Sequence, residues 1–255
     1  MRFLVLSALV LSSTASAQAP TRVASRASAR APVPAAAPAA APSALPETNV
    51  YEIVTPKGRI LVRLFDETPL HRDNFKRRAA DGLFDSTAFH RVIAGFMVQG
   101  GDPNTRDADP SNDGLDSPGT PVPAEIGRPH VRGALASARQ PDEINPGRAS
   151  SPSQFYLVQG RPVSPAEIAP MTAYVRRGSG DSTYTFAPEV VARYALEGGA
   201  PYLDGQYTVF GEVVEGLAVV DAIAAIPTDP MERPSERVWM VVRPVTDYEA
   251  PAGTP

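Results

Sequence analysis

The chain has 255 residues, no cysteine, 28 prolines and a formal net charge of −4, a length that allows one large domain or two small ones. Thiol catalysis and disulfide bracing are excluded, so a folded region must rest on its hydrophobic core, which a domain of about 200 residues can supply. The acidic balance, with a pI near 5.5, and the lack of a basic stripe argue against a nucleic-acid partner, whose phosphates demand clustered positive charge.

At the N-terminus Arg2 precedes an apolar stretch from Phe3 to Val10 and small residues ending Ala15, Ser16, Ala17. This order predicts a secretory signal over residues 1–17, removed near Ala17 to leave a periplasmic or secreted protein; a retained N-terminal anchor is the alternative. The apolar stretch is shorter than the roughly 20 residues of a membrane span, so stable insertion is not expected. Residues 18–46 are rich in Ala and Pro, with scattered Arg22, Arg26 and Arg30. They carry too little apolar surface to offset the entropy of ordering and read as a disordered linker.

A folded region is expected over residues 47–248, followed by a short tail, 249–255. Alternating patterns predict strands near 49–55 and 58–65, turned by Pro56, Lys57 and Gly58. A helix follows from Pro69 to about Asp81, with Thr68 as N-cap, Pro69 in the first position, Phe75 and Ala79 on the core face and Gly82 as its stop. Next come strands at 89–93 and 96–99, bent at Gly95, and a Gly/Pro/Asp-rich loop over 102–123. Short strands are expected near 133–137 and 154–158. Ser164–Arg177 and Ala187–Glu197 read as helical, the first opening on Ser164, Pro165 and Glu167 in the spacing of a capping box. A strand at 207–214, a helix over Leu217–Ile226 and a last strand over Arg237–Val245 complete the set, with Trp239 assigned to the core. Many short strands with few regular helices suggest a closed barrel, which leaves no sheet edge exposed.

The chemistry concentrates in FHRVIAGFMVQGGD, Phe89 to Asp102. Alternation puts Phe89, Arg91 and Ile93 on one strand face and sets Phe96 and Val98 opposite Met97 and Gln99. An arginine among strand-forming apolar residues is unusual; taken alone, a surface arginine with its stem on apolar neighbours accounts for it.

This segment resembles the signature of the cyclophilin family of peptidyl-prolyl cis-trans isomerases, in which FHR, FM and QGGD recur in this order and spacing. The resemblance continues through PAEI (Pro123–Ile126), GALAS (Gly133–Ser137), SQFYLV (Ser153–Val158) and LDGQYTVFGEV (Leu203–Val213), and spans most of residues 48–247. It implies a mainly β fold: a closed, eight-stranded antiparallel barrel capped by two helices, with a groove on its outer wall. Residues 160–200 then form an insertion longer than the usual family link, serving as a lid or packing element or adding a substrate or partner contact.

The resemblance further implies an enzyme that rotates Xaa-Pro bonds in unfolded or exported polypeptides, monomeric and without cofactor or metal. Arg91 and Gln99 are then the catalytic pair, Gln99 holding substrate backbone and helping to orient Arg91. Phe96, Met97 and Leu203 are carried over as the wall that receives the proline ring, and Ala138, Arg139, Gln154, Tyr156, Tyr202 and Tyr207 as further groove residues. Four positions depart from the common pattern. Tyr202 stands for tryptophan, Tyr207 for histidine, Tyr156 for phenylalanine and Arg139 for asparagine, so weak cyclosporin binding is expected. The competing reading is a non-catalytic proline-peptide-binding or chaperone module on the same scaffold.

Other sites have less support. Asp109, Ser111, Asp113 and Gly114 fall at calcium-loop positions, but Thr120 stands where a bidentate glutamate belongs. His71, His90 and His130 lack the spacing of a zinc site, and no GxSxG elbow points to a hydrolase.

Overall fold

The computed structural model describes residues 45–115 and 118–249. The expected signal segment, nearly all of the linker and nearly all of the tail lie outside the described residues. Strands β1 (Val50–Thr55) and β2 (Gly58–Leu64) form a hairpin. The Thr55 hydroxyl closes its turn, donating to the Gly58 carbonyl at 2.8 Å and accepting from Lys57 N at 3.1 Å.

Helix α1 (Pro69–Ala80) starts where Pro69 presets φ, but Thr68 does not cap it. The Thr68 hydroxyl turns back to the Phe65 carbonyl, and the carboxylate of Glu125 takes the free amides of Leu70 and His71, each at 3.0 Å. An acid from a distant loop thus does the work expected of the local residue, and its charge also suits the positive end of the helix.

Strands β3 (Ala88–Phe89), β4 (Arg91–Ile93), β5 (Met97–Gly100), β6 (Ala134–Ser137), β7 (Phe155–Val158), β8 (Val209–Glu215), β9 (Val238–Trp239) and β10 (Val241–Pro244) complete the β structure. Eight of them form one antiparallel sheet in the order β10-β1-β2-β8-β6-β7-β5-β4. Against the expected closed barrel, the ladder is open: β4 and β10 are its edges, and β3 pairs with β9 in a separate two-stranded ladder. The reason is a break in each edge strand, at His90 between β3 and β4 and at Met240 between β9 and β10.

The concave side of the sheet holds one apolar cluster. Phe75 and Ala79 of α1 and Val220, Ile223 and Ala224 of helix α4 (Leu217–Ala224) join Ile53, Val62, Leu135, Leu157 and Phe210 there. Phe75 meets Tyr51 and Phe155 edge-on, with ring centroids 5.6 and 5.7 Å apart, a favoured aromatic geometry. Trp239, expected in this core, is instead 40% exposed, because the two-residue β9 turns only Val238 inward.

The insertion folds as expected into two helices, α2 (Pro165–Ser179) and α3 (Pro188–Leu196). Its capping box is complete: Glu167 N donates to the Ser164 hydroxyl and Ser164 N to the Glu167 carboxylate. These helices bury a cluster of their own, built from Ile168, Tyr194, Val163 and Val131.

Candidate active site

The break at His90 decides which side chains reach the outer face. Phe89 enters the interior cluster beside Val92 and Val98, whereas Arg91 lines an outer groove with Met97 and Gln99. Unbroken alternation would have placed Phe89 with Arg91, and the irregular residue between them reverses this. A second offset comes from the turn at Gly95, where Phe96 N donates to the Ile93 carbonyl and φ is +75°. Phe96 precedes β5, and so shares the groove with Met97 instead of opposing it.

The groove has a volume of about 560 Å³. Arg91 and Gln99 face each other across the β4/β5 ladder, Tyr156 comes from β7, and Ala138 and Arg139 follow β6. Tyr202 and Leu203 lie on a single 3-10 turn, and Tyr207 leads into β8. Every predicted site residue lines this groove except Gln154, which lines an adjoining pocket of about 390 Å³ shared with Gln99, Ala138 and Arg139. No residue of 160–200 is in the groove lining.

Met97 and Tyr156 are buried and form the floor, while Phe96 and Tyr202 pack their rings 5.6 Å apart on one wall. The polar groups are less freely disposed than the sequence implies. Gln99 donates to Gln154 at 3.0 Å. The Arg91 side chain is instead bonded to Glu232, whose carboxylate accepts from Arg91 Nε at 2.6 Å. Arg139 lines the groove with a side chain that is only 4% exposed. It bonds the Gln206 and Gln140 carbonyls and Asp142, and lies 4.4 Å from the Tyr207 ring centroid as a cation–π partner.

Beneath the floor runs a buried polar chain. The Tyr156 hydroxyl meets His130 Nε2 at 3.0 Å, His130 Nδ1 meets Asp204 at 2.9 Å, and the Tyr194 hydroxyl of α3 donates to Asp204 at 2.7 Å. Burial holds the Tyr156 phenol well above its usual range. His90, on the groove margin, is pushed down to about 4, first by burial and then by Arg233 and Arg91; it is neutral at pH 7.

Sequence reasoning missed His90, Asp113, Leu115, Met231 and Arg233 as groove residues, and Glu232 as the partner of Arg91 beside them. The calcium-like loop supplies two of them, yet its acids serve the fold. Asp109 accepts from Ser111 N and its hydroxyl, and Asp113 pairs with Arg233 at 3.0 Å.

Residues 50–243 match the family described as Cyclophilin type peptidyl-prolyl cis-trans isomerase/CLD. The chain belongs to this family. A Staphylococcus saprophyticus protein named as a peptidyl-prolyl cis-trans isomerase is 33% identical to this cyclophilin over 184 residues, 71% of this chain and 83% of the relative. A Streptococcus pyogenes protein named as a bifunctional phosphatase/peptidyl-prolyl cis-trans isomerase is 32% identical over 191 residues, 73% of this chain but 36% of the longer relative. The crystal structure of a Cryptosporidium parvum cyclophilin-type isomerase superposes with a TM-score of 0.56 at 21% identity. The match covers 78% of this chain and 99% of that one, and establishes the shared fold. The same parasite protein has been crystallised in the presence of the dipeptide Ala-Pro (TM-score 0.54).

Proposed function

We propose that this cyclophilin accelerates cis–trans rotation about Xaa-Pro bonds of exported polypeptides, with Arg91 stabilising the twisted amide. Rotation breaks amide resonance, a barrier of about 18–20 kcal/mol, and uncatalysed exchange takes tens to hundreds of seconds. In the twisted state the imide nitrogen becomes pyramidal and regains a lone pair. A fixed cationic donor beside it binds that state better than either planar isomer, and so lowers the barrier. Arg91 suits this role because guanidinium stays charged at all working pH values and holds its donors in a rigid plane.

The observation that carries the reading is the meeting of an arginine with an apolar proline-sized wall, Phe96, Met97, Tyr202 and Leu203, along one open groove. Gln99 and Gln154, bonded to each other, are the polar groups best placed to hold substrate backbone between the two adjoining pockets. The relative crystallised with Ala-Pro supports a prolyl ligand for the fold. Export to the periplasm or beyond rests on the N-terminal sequence pattern.

A protease-coupled assay on a proline tetrapeptide tests this. The unmodified chain is expected to accelerate isomerisation, and Arg91→Ala to slow it by about 10²–10³, the usual cost of losing one preorganised donor. Unchanged turnover in a folded Arg91→Ala variant, or none in the parent, contradicts the proposal.

A further inference from the structure

The pairing of Arg91 with Glu232 asks what an acid does beside a side chain that has to present positive charge. We propose that Glu232 is a positioning residue: its carboxylate fixes the Arg91 guanidinium by its inner nitrogen and leaves the outer nitrogens to the substrate. This rests on the role of Arg91 given above.

Three observations support it. First, the bond is specific in its atoms. Arg91 Nε donates to Glu232 Oε2 at 2.6 Å, and the Arg91 side chain makes no other hydrogen bond among the described residues. Second, the acid is built into place. The turn from Asp229 to Arg233 is held by the Asp229 carboxylate, which accepts from Met231 N at 2.8 Å and Arg233 N at 3.0 Å. Glu232 N donates to the Asp229 carbonyl, and Val92 N, next to Arg91, donates to the Glu232 carbonyl at 2.8 Å. Backbone and side chain of one residue therefore stitch the turn to β4 at the catalytic position. Third, Glu232 has φ of +65°, a left-handed conformation unfavourable for a residue with a Cβ and suited to glycine. A glutamate occupies this position against local backbone preference.

The physical balance favours positioning over damping. Arg91 and Glu232 side chains are 43% and 42% exposed, so water screens the negative charge acting on a substrate. A long, half-exposed arginine loses much rotamer freedom when it must meet a reacting nitrogen. Holding it by Nε beforehand removes that loss from the turnover step, in the manner of preorganised donors. The turn also braces the opposite margin, since Arg233 pairs with Asp113 and bonds the Pro110 carbonyl.

The test compares full-length parent, Glu232→Gly, Glu232→Gln and Arg91→Ala. Glycine suits φ of +65°, so Glu232→Gly removes the carboxylate without straining the turn. It is expected to lower kcat about tenfold with KM changed less than twofold, an effect between the parent and the Arg91→Ala loss. Glu232→Gln keeps an acceptor for Nε and is expected to restore most of kcat. Nitrogen-15 relaxation at Arg91 Nε should report a rigid group in the parent and in Glu232→Gln, and a mobile one in Glu232→Gly. Parent-like kcat in Glu232→Gly, or Glu232→Gln as slow as Glu232→Gly, overturns the inference. If Arg91→Ala itself keeps parental turnover, the catalytic reading falls instead.

Discussion

The Tyr202 phenol packs on Phe96, and burial pushes its pKa up to about 12, so it presents a neutral donor to the groove. A tryptophan there would offer an indole N–H from a different position. Tyr202→Trp is therefore expected to tighten cyclosporin binding at least about tenfold, or about 1.4 kcal/mol, as read by titration calorimetry. Nanomolar affinity in the unchanged chain would contradict this account of the site. Other departures from the family pattern were visible as residue types but not as roles. Arg139 lines the groove, yet its guanidinium is engaged by two carbonyls, Asp142 and the Tyr207 ring. Gln140 and Asp142 are close along the chain, but the contacts with Gln206 and Tyr207 come from nearly seventy residues away and leave no local signal.

Among the elements, the insertion bears on the groove from behind. Tyr194 of α3 and Asp204, next to Leu203, are both almost fully buried. Their bond continues through His130 to the hydroxyl of Tyr156 in the groove floor. Gly160 and Gly199 let the two ends of the insertion cross closely: a Cβ on Gly160 would lie 2.4 Å from Gly199 N. Tyr194→Phe leaves a buried carboxylate short of a donor and is expected to cost about 1–3 kcal/mol, measured as a shift in urea unfolding. A change below about 0.5 kcal/mol, the level of a neutral surface substitution, would show that α3 does not brace Asp204. The helices of this insertion were legible because Ser164, Pro165 and Glu167 write a cap in four consecutive residues. The cap of α1 was not, because its acid, Glu125, lies 55 residues from Leu70. Strand pairing behaved in the same way: β4 and β5 follow from local alternation and Gly95, while the break at His90 that turns Phe89 inward follows from packing.

For the whole molecule, the buried His90 and His71 contribute to the response to acid. His90 titrates near 6.5 when unfolded and about 4 when folded. Between those values the unfolded state binds more protons, so its stabilising contribution is complete above pH 6.5 and declines as pH falls towards 4. The slope is at most about 1.4 kcal/mol per pH unit for one such group. His71, lowered chiefly by burial despite Glu125, acts in the same direction. His90→Gln should flatten the fall of urea midpoint between pH 6.5 and 4, and an unchanged slope would assign that fall to other groups. The overall fold and most groove residues could be read from ordered motifs spread along the chain. The partner of Arg91 could not, since Glu232 lies 141 residues away in a turn whose backbone favours glycine. What matters most is whether Arg91 acts on a prolyl bond in rotation. Exchange NMR on a saturating proline peptide, observing cis and trans resonances together, separates binding from turnover. The account predicts fast exchange with the parent, and with Arg91→Ala retained peptide shifts but exchange slowed by about 10²–10³. Equal exchange in both proteins would contradict it.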